Sequence, residues 1–290
     1  MLLKRSFSLS TITLSPSVIV LLCWMIVPLG MTIYFSLLRY NLLSPGMEHW
    51  AGLDNYFYFM EDPAFFEAIF NTFWLLIGVL FITILFGLSL ALLLENPIVG
   101  KSFVQILIIS PFFVMPTVSA LMWKNLMMNP VNGLLAYFMI SLGLQPIHFF
   151  GSYPMWAIII IVSWQWAPFA FLIFITSLQS LDIDQIHAAQ LDGANYWQRL
   201  RFIVLPYLKR PIAAVLLIET IFILSVFAEI LVTTNGGPGF ATTNITFLIY
   251  AQSLLNFDVG AGAAGGVIAV ILASIVSLFL IRMIGKNLDV

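Results

Sequence analysis

Charged residues are scarce in this sequence of 290 residues: they make up 8% of it, against 61% hydrophobic residues. A water-soluble domain usually carries about a quarter charged residues, so this chain has too few to cover its surface in water. A soluble globular protein is therefore excluded, and lipid must be the solvent for much of the chain. We expect the lipid bilayer, and no nucleic acid, among its partners.

Cysteine and histidine are also rare, which limits the chemistry open to the chain. The single cysteine, Cys23, excludes a disulfide framework and a cysteine-based metal site; in its apolar run it is typical of a small helix residue. The three histidines, His49, His148 and His187, are scattered over different loops, so neither a metal site nor a catalytic dyad is expected. We predict a chain that binds no cofactor and is not an enzyme.

A phosphate-binding loop for ATP is missing as well. Gly100, Lys101 and Ser102 match the last three positions of that pattern, but Glu95 occupies the position of the glycine required five residues before Gly100. The sequence also has no soluble stretch long enough to form a nucleotide-binding domain. The chain itself is therefore not an ATPase.

Six apolar stretches are long enough to cross a hydrocarbon core of about 30 Å, which needs about 20 helical residues. They cover residues 14–38, 69–94, 103–124, 154–178, 212–233 and 258–281. The third contains Pro111 and Pro116, which membrane helices tolerate when neighbouring helices pack around them. The sequence predicts an all-α integral membrane protein with six transmembrane helices.

Lysine and arginine predict the orientation, because cytoplasmic loops are enriched in both. With a cytoplasmic N-terminus, only Arg39 and Lys124 lie outside. The nine that lie inside are Lys4, Arg5, Lys101, Arg199, Arg201, Lys209, Arg210, Arg282 and Lys286. We therefore expect both termini in the cytoplasm.

The longest cytoplasmic loop, residues 179–211, has the pattern of a surface helix. Apolar or small residues recur at spacings of three and four, which places them on one helical face. They are Ile186, Ala189, Gly193, Trp197 and Leu200. Asp182, followed three residues later by Gln185, is a helix-start signal, while Gly193 interrupts the pattern. We predict two short helices with a bend at Gly193.

Two interpretations of this loop are open. Its exposed face could dock into a groove on a partner protein, or the helix could lie on the lipid surface. A lipid-bound helix is expected to carry a cationic polar face, whereas residues 182–195 contain three aspartates, one histidine and no lysine or arginine. This composition favours docking.

Residues 187–206 resemble the signature loop of the permease subunits of binding-protein-dependent ABC importers. That loop has a Glu-Ala-Ala triplet, then a glycine, then an Ile-x-Leu-Pro run. The matching residues are His187, Ala188, Ala189, Gly193, Ile203, Leu205 and Pro206, with Asp192 directly before the glycine. His187 stands where the family usually has glutamate.

Shorter motifs extend the resemblance over nearly the whole chain. They are Gly52 to Tyr56, Trp123-Lys124, Asn129-Pro130 and the turn from Thr234 to Gly239. The turn resembles that of the maltose-permease-like branch. The stretch 219–239 is most similar to the polyol permeases for sorbitol and mannitol.

The resemblance implies a MetI-like ABC importer permease fold in a bacterial inner membrane. It implies a first region, residues 1–68, with one transmembrane helix and an external loop, and a permease core, residues 69–284, with a coupling loop at about 182–206. It also implies three kinds of partner: a second permease subunit, two copies of an ATPase that uses ATP and Mg²⁺, and an external substrate-binding protein. Such a chain would import a sugar or sugar alcohol.

Two acidic residues, Glu219 and Glu229, lie within the fifth apolar stretch, where charged groups are costly and usually line a pathway or pair with one another. On one continuous helix this separation places them about 80° apart. A carboxylate accepts hydrogen bonds from adjacent hydroxyls, which suits a sugar or polyol. A structural hydrogen bond or an ion pair to another subunit fits equally well.

The resemblance implies further pathway residues on two helices. They are Ser163, Gln165, Trp166 and Phe169 in the fourth stretch and Glu219, Ile223 and Ser225 in the fifth. Aromatic rings beside a few polar anchors are typical of such sites, although any one ring could serve packing in a chain with 26 phenylalanines. The competing class is a self-sufficient carrier that uses Glu219 or Glu229 to couple protons; such carriers often have two inverted halves, and no such internal similarity is visible.

Overall fold

The computed structural model describes residues 9–95 and 99–288, with side chains described for 13–95 and 99–282. The helices in these ranges are α1 (Leu9–Ser36), α2 (Asp54–Met60), α3 (Phe65–Leu93), α4 (Lys101–Ile109), α5 (Pro116–Met122), α6 (Leu134–Ser141), α7 (Phe149–Ser152), α8 (Pro154–Gln179), α9 (Ile183–Leu191), α10 (Tyr196–Arg199), α11 (Leu205–Tyr207), α12 (Lys209–Ile223), α13 (Ala228–Thr233), α14 (Ile245–Tyr250) and α15 (Val259–Leu288). Short 3₁₀ or π turns extend four of them, at Ser110–Phe113, Trp123–Met127, Leu200–Val204 and Ala251–Leu255. Strands β1 (Leu38–Arg39) and β2 (His49–Trp50) pair antiparallel, with Leu38 opposite Trp50.

Four helices in the described ranges are long and apolar enough to cross a membrane: Thr13–Ser36, Phe65–Leu93, Pro154–Gln179 and Val259–Arg282. They match the first, second, fourth and sixth predicted stretches to within a few residues. The count of six crossings and the cytoplasmic position of both termini stay predictions. Lys4 and Arg5, on which the orientation partly rests, lie outside the described residues, as does the side chain of Lys286.

The third predicted stretch is a bent pair rather than one straight helix. Lys101–Phe113 and Pro116–Met127 meet at an angle of 105°. Val114 and Met115 between them have extended backbone. For Met115 the cause is Pro116, because a residue before proline is pushed out of the helical region and proline itself has no N–H to donate. Pro116 therefore starts a new helix.

The fifth predicted stretch is also interrupted, which the sequence pattern did not reveal. Helix α12 ends at Ile223 and α13 begins at Ala228. Two backbone carbonyls in the gap accept side-chain hydrogen bonds: Asn244 Nδ2 donates to the oxygen of Val226 at 2.6 Å, and Thr246 Oγ1 to that of Leu224 at 3.0 Å. Glu219 and Glu229 therefore lie on different helices, and the prediction of one helix with 80° between them is wrong.

The chain forms two compact units. The first contains the described residues up to Asp62 together with Ile249–Val270, and the second contains Pro63–Leu248 and the residues after Val270. In the first unit, buried Asn55 donates to the carbonyls of Ser36 and Leu38. Asp258 caps α15 by accepting from the N–H of Ala261 and lies 4.0 Å from Arg39. These polar contacts tie the end of α1 to the start of α15.

In the second unit, α3 and α8 pack closely because a glycine faces a small residue. A Cβ at Gly87 would lie 2.7 Å from the Cβ of Ala170 and 2.9 Å from the backbone nitrogen of Phe171. Only glycine permits this approach. The same end of both helices belongs to a buried cluster that includes Ala91, Phe171, Phe174, Leu178, Val204, Leu208 and Val215.

Candidate functional site: a surface loop and a helical groove

The loop between α8 and α12 folds as two short helices around a glycine. Asp182 precedes α9, and its side chain accepts a hydrogen bond from the N–H of Asp184. Gly193 has φ +81°, a left-handed conformation that glycine adopts without steric cost. Asn195 and Gln198 then form a reciprocal capping box at α10. The predicted pair of short helices and the bend at Gly193 are confirmed.

One side of this loop is anchored in the membrane-helix core. Val204 and Leu208 are buried in the core cluster, and Ile186, Leu200 and Ile203 pack against it. Among the family-motif residues, Ile203 is therefore an anchor, and Ala189 and Leu205 are half-buried. A displacement of the loop must move the neighbouring ends of α8 and α12.

The other side of the loop is exposed. His187, Ala188, Asp192 and Gly193 all face outward, while Pro206 is exposed in α11. Two large apolar side chains accompany them: Leu191 is 90% exposed and Trp197 is 73% exposed. The prediction of a single face from Ile186 to Leu200 is wrong, because the bend at Gly193 puts Trp197 outside while Ile186 and Leu200 point inward.

Four aromatic rings from three segments meet between α8 and α12. The ring centroid of Trp166 lies 4.8 Å from that of Phe222, 5.6 Å from that of Phe112 and 6.0 Å from that of Phe169. We call Phe112, Trp166, Phe169 and Phe222 the aromatic cluster. Trp166 and Phe169 were predicted from the resemblance, whereas Phe112 and Phe222 were missed. The one local signal for Phe112 is its place beside Pro111, at the bend.

Gln165 and Ser163 have different surroundings from Trp166. Gln165 is 5% exposed, and its Nε2 donates to the carbonyl of Val114 at 2.7 Å, which satisfies the backbone at the bend before Pro116. Ser163 is 2% exposed and lines a mostly apolar cavity of about 480 Å³ between α8, α3 and α4. The structure thus brings together only part of the predicted set on α8.

The predicted residues on α12 and α13 are also divided. Glu219 is fully buried, and its Oε2 accepts a hydrogen bond of 2.6 Å from Thr83 Oγ1 of α3. Ile223 and Glu229 are buried too. Ser225 is exposed beside the aromatic cluster, and its hydroxyl donates to the carbonyl of Phe222. Glu219 therefore ties α12 to α3 within the protein interior.

A basic side chain, Lys124, binds the C-terminal end of α13. Lys124 Nζ donates to the carbonyls of Val232 and Thr233, at 3.0 and 2.7 Å. These are the last carbonyls of α13, where the helix dipole favours a cation. The bent pair that begins at Lys101 is thereby connected to α13.

Solved structures share this fold over almost the full chain. A bacterial ABC transporter involved in the import of the acidic polysaccharide alginate superposes with a TM-score of 0.80 at 24% identity, covering 97% of this chain and 96% of that one. The same transporter in complex with its pentasaccharide-bound periplasmic protein gives 0.79. The fold is that of an ABC importer permease.

The sequence places the chain within a family. Residues 64–290 match the family of binding-protein-dependent transport system inner membrane components, and the chain belongs to it. It is 31% identical to a probable ABC transporter permease of Sinorhizobium fredii, over 99% of this chain and 94% of that protein. It is 33% identical to the trehalose/maltose permease MalF of Thermococcus litoralis, over 92% and 90%, and 28% identical to the sn-glycerol-3-phosphate permease UgpA of Escherichia coli, over 97% and 95%.

Family membership settles the class of protein. The chain is a multi-pass membrane component of a transport system, not an enzyme. The resemblance of residues 187–206 to the permease signature loop is consistent with this result.

Proposed function

We propose that the chain is the permease subunit of an ATP-driven importer and forms the pathway for a sugar or sugar alcohol. The relatives named for trehalose/maltose and for sn-glycerol-3-phosphate, and the alginate transporter, all handle polyhydroxylated molecules. Within that class, the similarity of residues 219–239 to polyol permeases favours sorbitol or mannitol.

The observation that carries this proposal is the position of the loop. Its outer side displays His187, Gly193 and Trp197, while its inner side is rooted among the ends of α8 and α12. The same two helices contribute Trp166 and Phe222 to the aromatic cluster. A partner that binds the loop would therefore act directly on the helices that carry the aromatic cluster.

The topology follows from the same proposal. The chain would cross a bacterial inner membrane six times with both termini in the cytoplasm, α12 and α13 together forming the fifth crossing. Residues 1–68 would supply the first helix and an external loop, and residues 69–284 the permease core.

The partners would be a second permease subunit, two copies of an ABC ATPase that holds ATP and Mg²⁺, and an external binding protein. The alginate transporter was solved with such a periplasmic protein. This chain would bind no cofactor of its own. Residues 182–206 would be the surface that docks on the ATPase.

We assign the pathway residues unequal roles. Trp166 and Phe169 would cover the apolar faces of the substrate, with Ser225 as a polar anchor beside them. Ser163, Gln165, Glu219, Ile223 and Glu229 would shape the pathway from behind, since each is at most 5% exposed. A proton-coupled carrier that uses Glu219 or Glu229 is not supported, because both carboxylates are buried and the family depends on binding proteins.

The test is substitution of Gly193 by tryptophan. A bulky side chain at φ +81° should distort the bend and block docking, so uptake of radiolabelled trehalose or mannitol by cells should be lost while the complex still assembles. Gly193→Asn separates the two causes, since asparagine tolerates the left-handed region. Gly143→Trp is the matched control: Gly143 has φ +74° with nothing within 4 Å of its Cβ position, the same open surroundings as Gly193. Normal uptake by Gly193→Trp would contradict the docking role.

A further inference from the structure

A polar pocket lies between the end of α8 and the start of α12, apart from the aromatic cluster. It has a volume of about 380 Å³. Its lining consists of Thr176, Ser177, Ser180, Tyr207, Arg210 and Pro211. A pocket lined by several hydroxyls and a guanidinium is unusual in a chain with only 8% charged residues.

The pocket and the aromatic cluster lie on the same faces of α8 and α12. On α8, positions 166, 169, 173, 176 and 180 follow each other at spacings of three and four and so form one stripe. On α12, Pro211, Ile218 and Phe222 do the same, at spacings of seven and four. At 1.5 Å per residue, Thr176 lies about 15 Å along α8 from Trp166. The pocket therefore lies on the same side of the α8–α12 pair as the aromatic cluster, toward the predicted cytoplasmic end.

Its hydrogen-bonding groups include both acceptors and donors. The hydroxyls of Thr176, Ser177 and Ser180 donate to backbone carbonyls of the preceding turn, so their oxygens remain as acceptors. The side chains of Tyr207 and Arg210 have no hydrogen-bond or ion-pair partner among the described residues, and they supply the donors. A sugar hydroxyl both donates and accepts, so a molecule with several hydroxyls matches this mixture.

A phosphate group matches it less well. Phosphate oxygens accept only, so they would use Arg210 and Tyr207 but face three hydroxyl oxygens whose protons are already committed. These features favour a polyhydroxylated ligand over the headgroup of an anionic lipid.

We propose that this inner pocket is an exit subsite, which holds the polyhydroxylated substrate after it leaves the aromatic cluster. The proposal rests on the proposed transport function and adds to it a second binding position on the same chain. Arg210 would span two neighbouring hydroxyls with its forked N–H groups, and Tyr207 would donate to a third.

The first test uses the complete importer in proteoliposomes, with radiolabelled mannitol and trehalose as probes. Arg210→Gln should lower the maximal uptake rate about tenfold, the cost of one charge-assisted hydrogen bond. KM should not change, because the external binding protein sets delivery, and ATPase stimulation by loaded binding protein should persist. Lys209→Gln, the neighbouring exposed cation outside the pocket, should match the wild type.

Two outcomes would overturn the subsite. Uptake by Arg210→Gln that equals that of Lys209→Gln leaves the pocket without a role. Loss of uptake together with loss of stimulated ATPase activity places Arg210 in coupling instead. If the wild-type importer takes up neither probe, the proposed substrate class fails, and the second test still decides whether the pocket binds hydroxylated molecules.

The second test measures binding without transport. The single native cysteine, Cys23, is exposed and is replaced by serine; Ser180→Cys then places a thiol in the pocket, and Gln179→Cys places one beside it. Mannitol or trehalose should slow labelling by a water-soluble thiol reagent at position 180 and not at 179. Vesicles of phosphatidylcholine with and without phosphatidylglycerol should give the same result. Protection by phosphatidylglycerol alone, or no protection by mannitol or by trehalose, would refute the exit subsite.

Discussion

The helix pair α3 and α8 differs sharply from the interrupted segments at 114–115 and 224–227. Phe65–Leu93 and Pro154–Gln179 are each continuous helices, although Pro168 inside α8 cannot donate its helical hydrogen bond, and Gly87 lets the two backbones meet. At the interruptions, carbonyls are instead bound by side chains, Gln165 at Val114 and Asn244 at Val226. A side chain can exchange its partner by changing rotamer, whereas a helical bond breaks only if the helix unwinds.

The α3–α8 pair and the interrupted segments therefore have different roles. The uninterrupted pair provides a fixed frame, and the interruptions give the neighbouring segments points at which to bend. The aromatic cluster contains residues from both kinds of segment. Trp166 lies on α8 of the frame, and Phe112 and Phe222 lie at the helix ends next to the interruptions. We expect substitutions in the frame to reduce stability first and substitutions at the interruptions to reduce transport first.

The largest expected effect is in the frame, at Gly87. Gly87→Leu forces a side chain against Ala170 and the backbone of Phe171, and overpacking of this kind costs about 3 kcal/mol. The thermal unfolding temperature of the purified chain in detergent should fall strongly. Gly30→Leu in α1 is the control, since nothing lies within 4 Å of its Cβ position. Equal unfolding temperatures for the two variants would show that α3 and α8 do not pack as described.

The next effect is at the second interruption, at Asn244. Its side chain binds Val226 O and also accepts from the N–H of Phe247, so Asn244→Ala leaves two buried backbone groups unpaired, at a cost of about 2 kcal/mol. We expect uptake to fall further than the unfolding temperature does. Asn132→Ala, at an exposed side chain, should leave both unchanged. A variant with lower stability and normal uptake would reverse the expected order.

A smaller effect is expected at the first interruption. Gln165→Leu keeps a side chain of similar bulk but removes the bond to Val114, at a cost of about 1 kcal/mol. The bend before Pro116 should loosen and the uptake rate should drop, with little change in unfolding temperature. Gln179→Leu, exposed on the same helix, serves for comparison. If Gln165→Leu unfolds at a temperature as low as Gly87→Leu does, Gln165 stabilises the α3–α8 pair rather than the bend.

The smallest effect is expected at Glu219, which joins the frame to α12. Glu219→Gln retains an oxygen that accepts from Thr83 and replaces the unpaired Oε1 by an amide that is also unpaired, so stability should change by less than the roughly 1 kcal/mol of one hydrogen bond. Uptake should continue, since the contact needs an acceptor rather than a charge. Thr83→Val, which removes the donor, should be the more harmful of the two. Complete loss of uptake in Glu219→Gln would favour proton coupling.

Local signals in the sequence predicted much of this structure. The long apolar runs located α3 and α8, and the loop helices followed from Asp182 and Gly193, whose capping and backbone preferences act within a few residues. The interruption at 224–227 could not be found in the same way. Its stabilising groups, Asn244 and Thr246, lie about twenty positions further on, and nothing in residues 212–233 indicates them.

The candidate site was predictable only where a motif marks it. Residues 187–206 have a recognisable spacing, whereas Phe112 and Phe222 are two among 26 phenylalanines and acquire their role only when the helices pack. For Glu219 the sequence left a pathway role and a structural hydrogen bond open, for a related reason. Its helix position is local, but the hydroxyl of Thr83 that occupies it comes from another helix.

The continuity of α8, the loop and α12 has a consequence for how such chains diversify. Residues 154–223 carry the proposed docking loop and three of the four rings of the aromatic cluster on a single stretch of the chain. Recombination between related genes that exchanges this stretch would transfer substrate preference and partner recognition together. A change in substrate preference alone would require point substitutions within residues 154–223. We therefore expect new specificities to arise by single replacements along the α8 stripe of positions 166, 169, 173, 176 and 180.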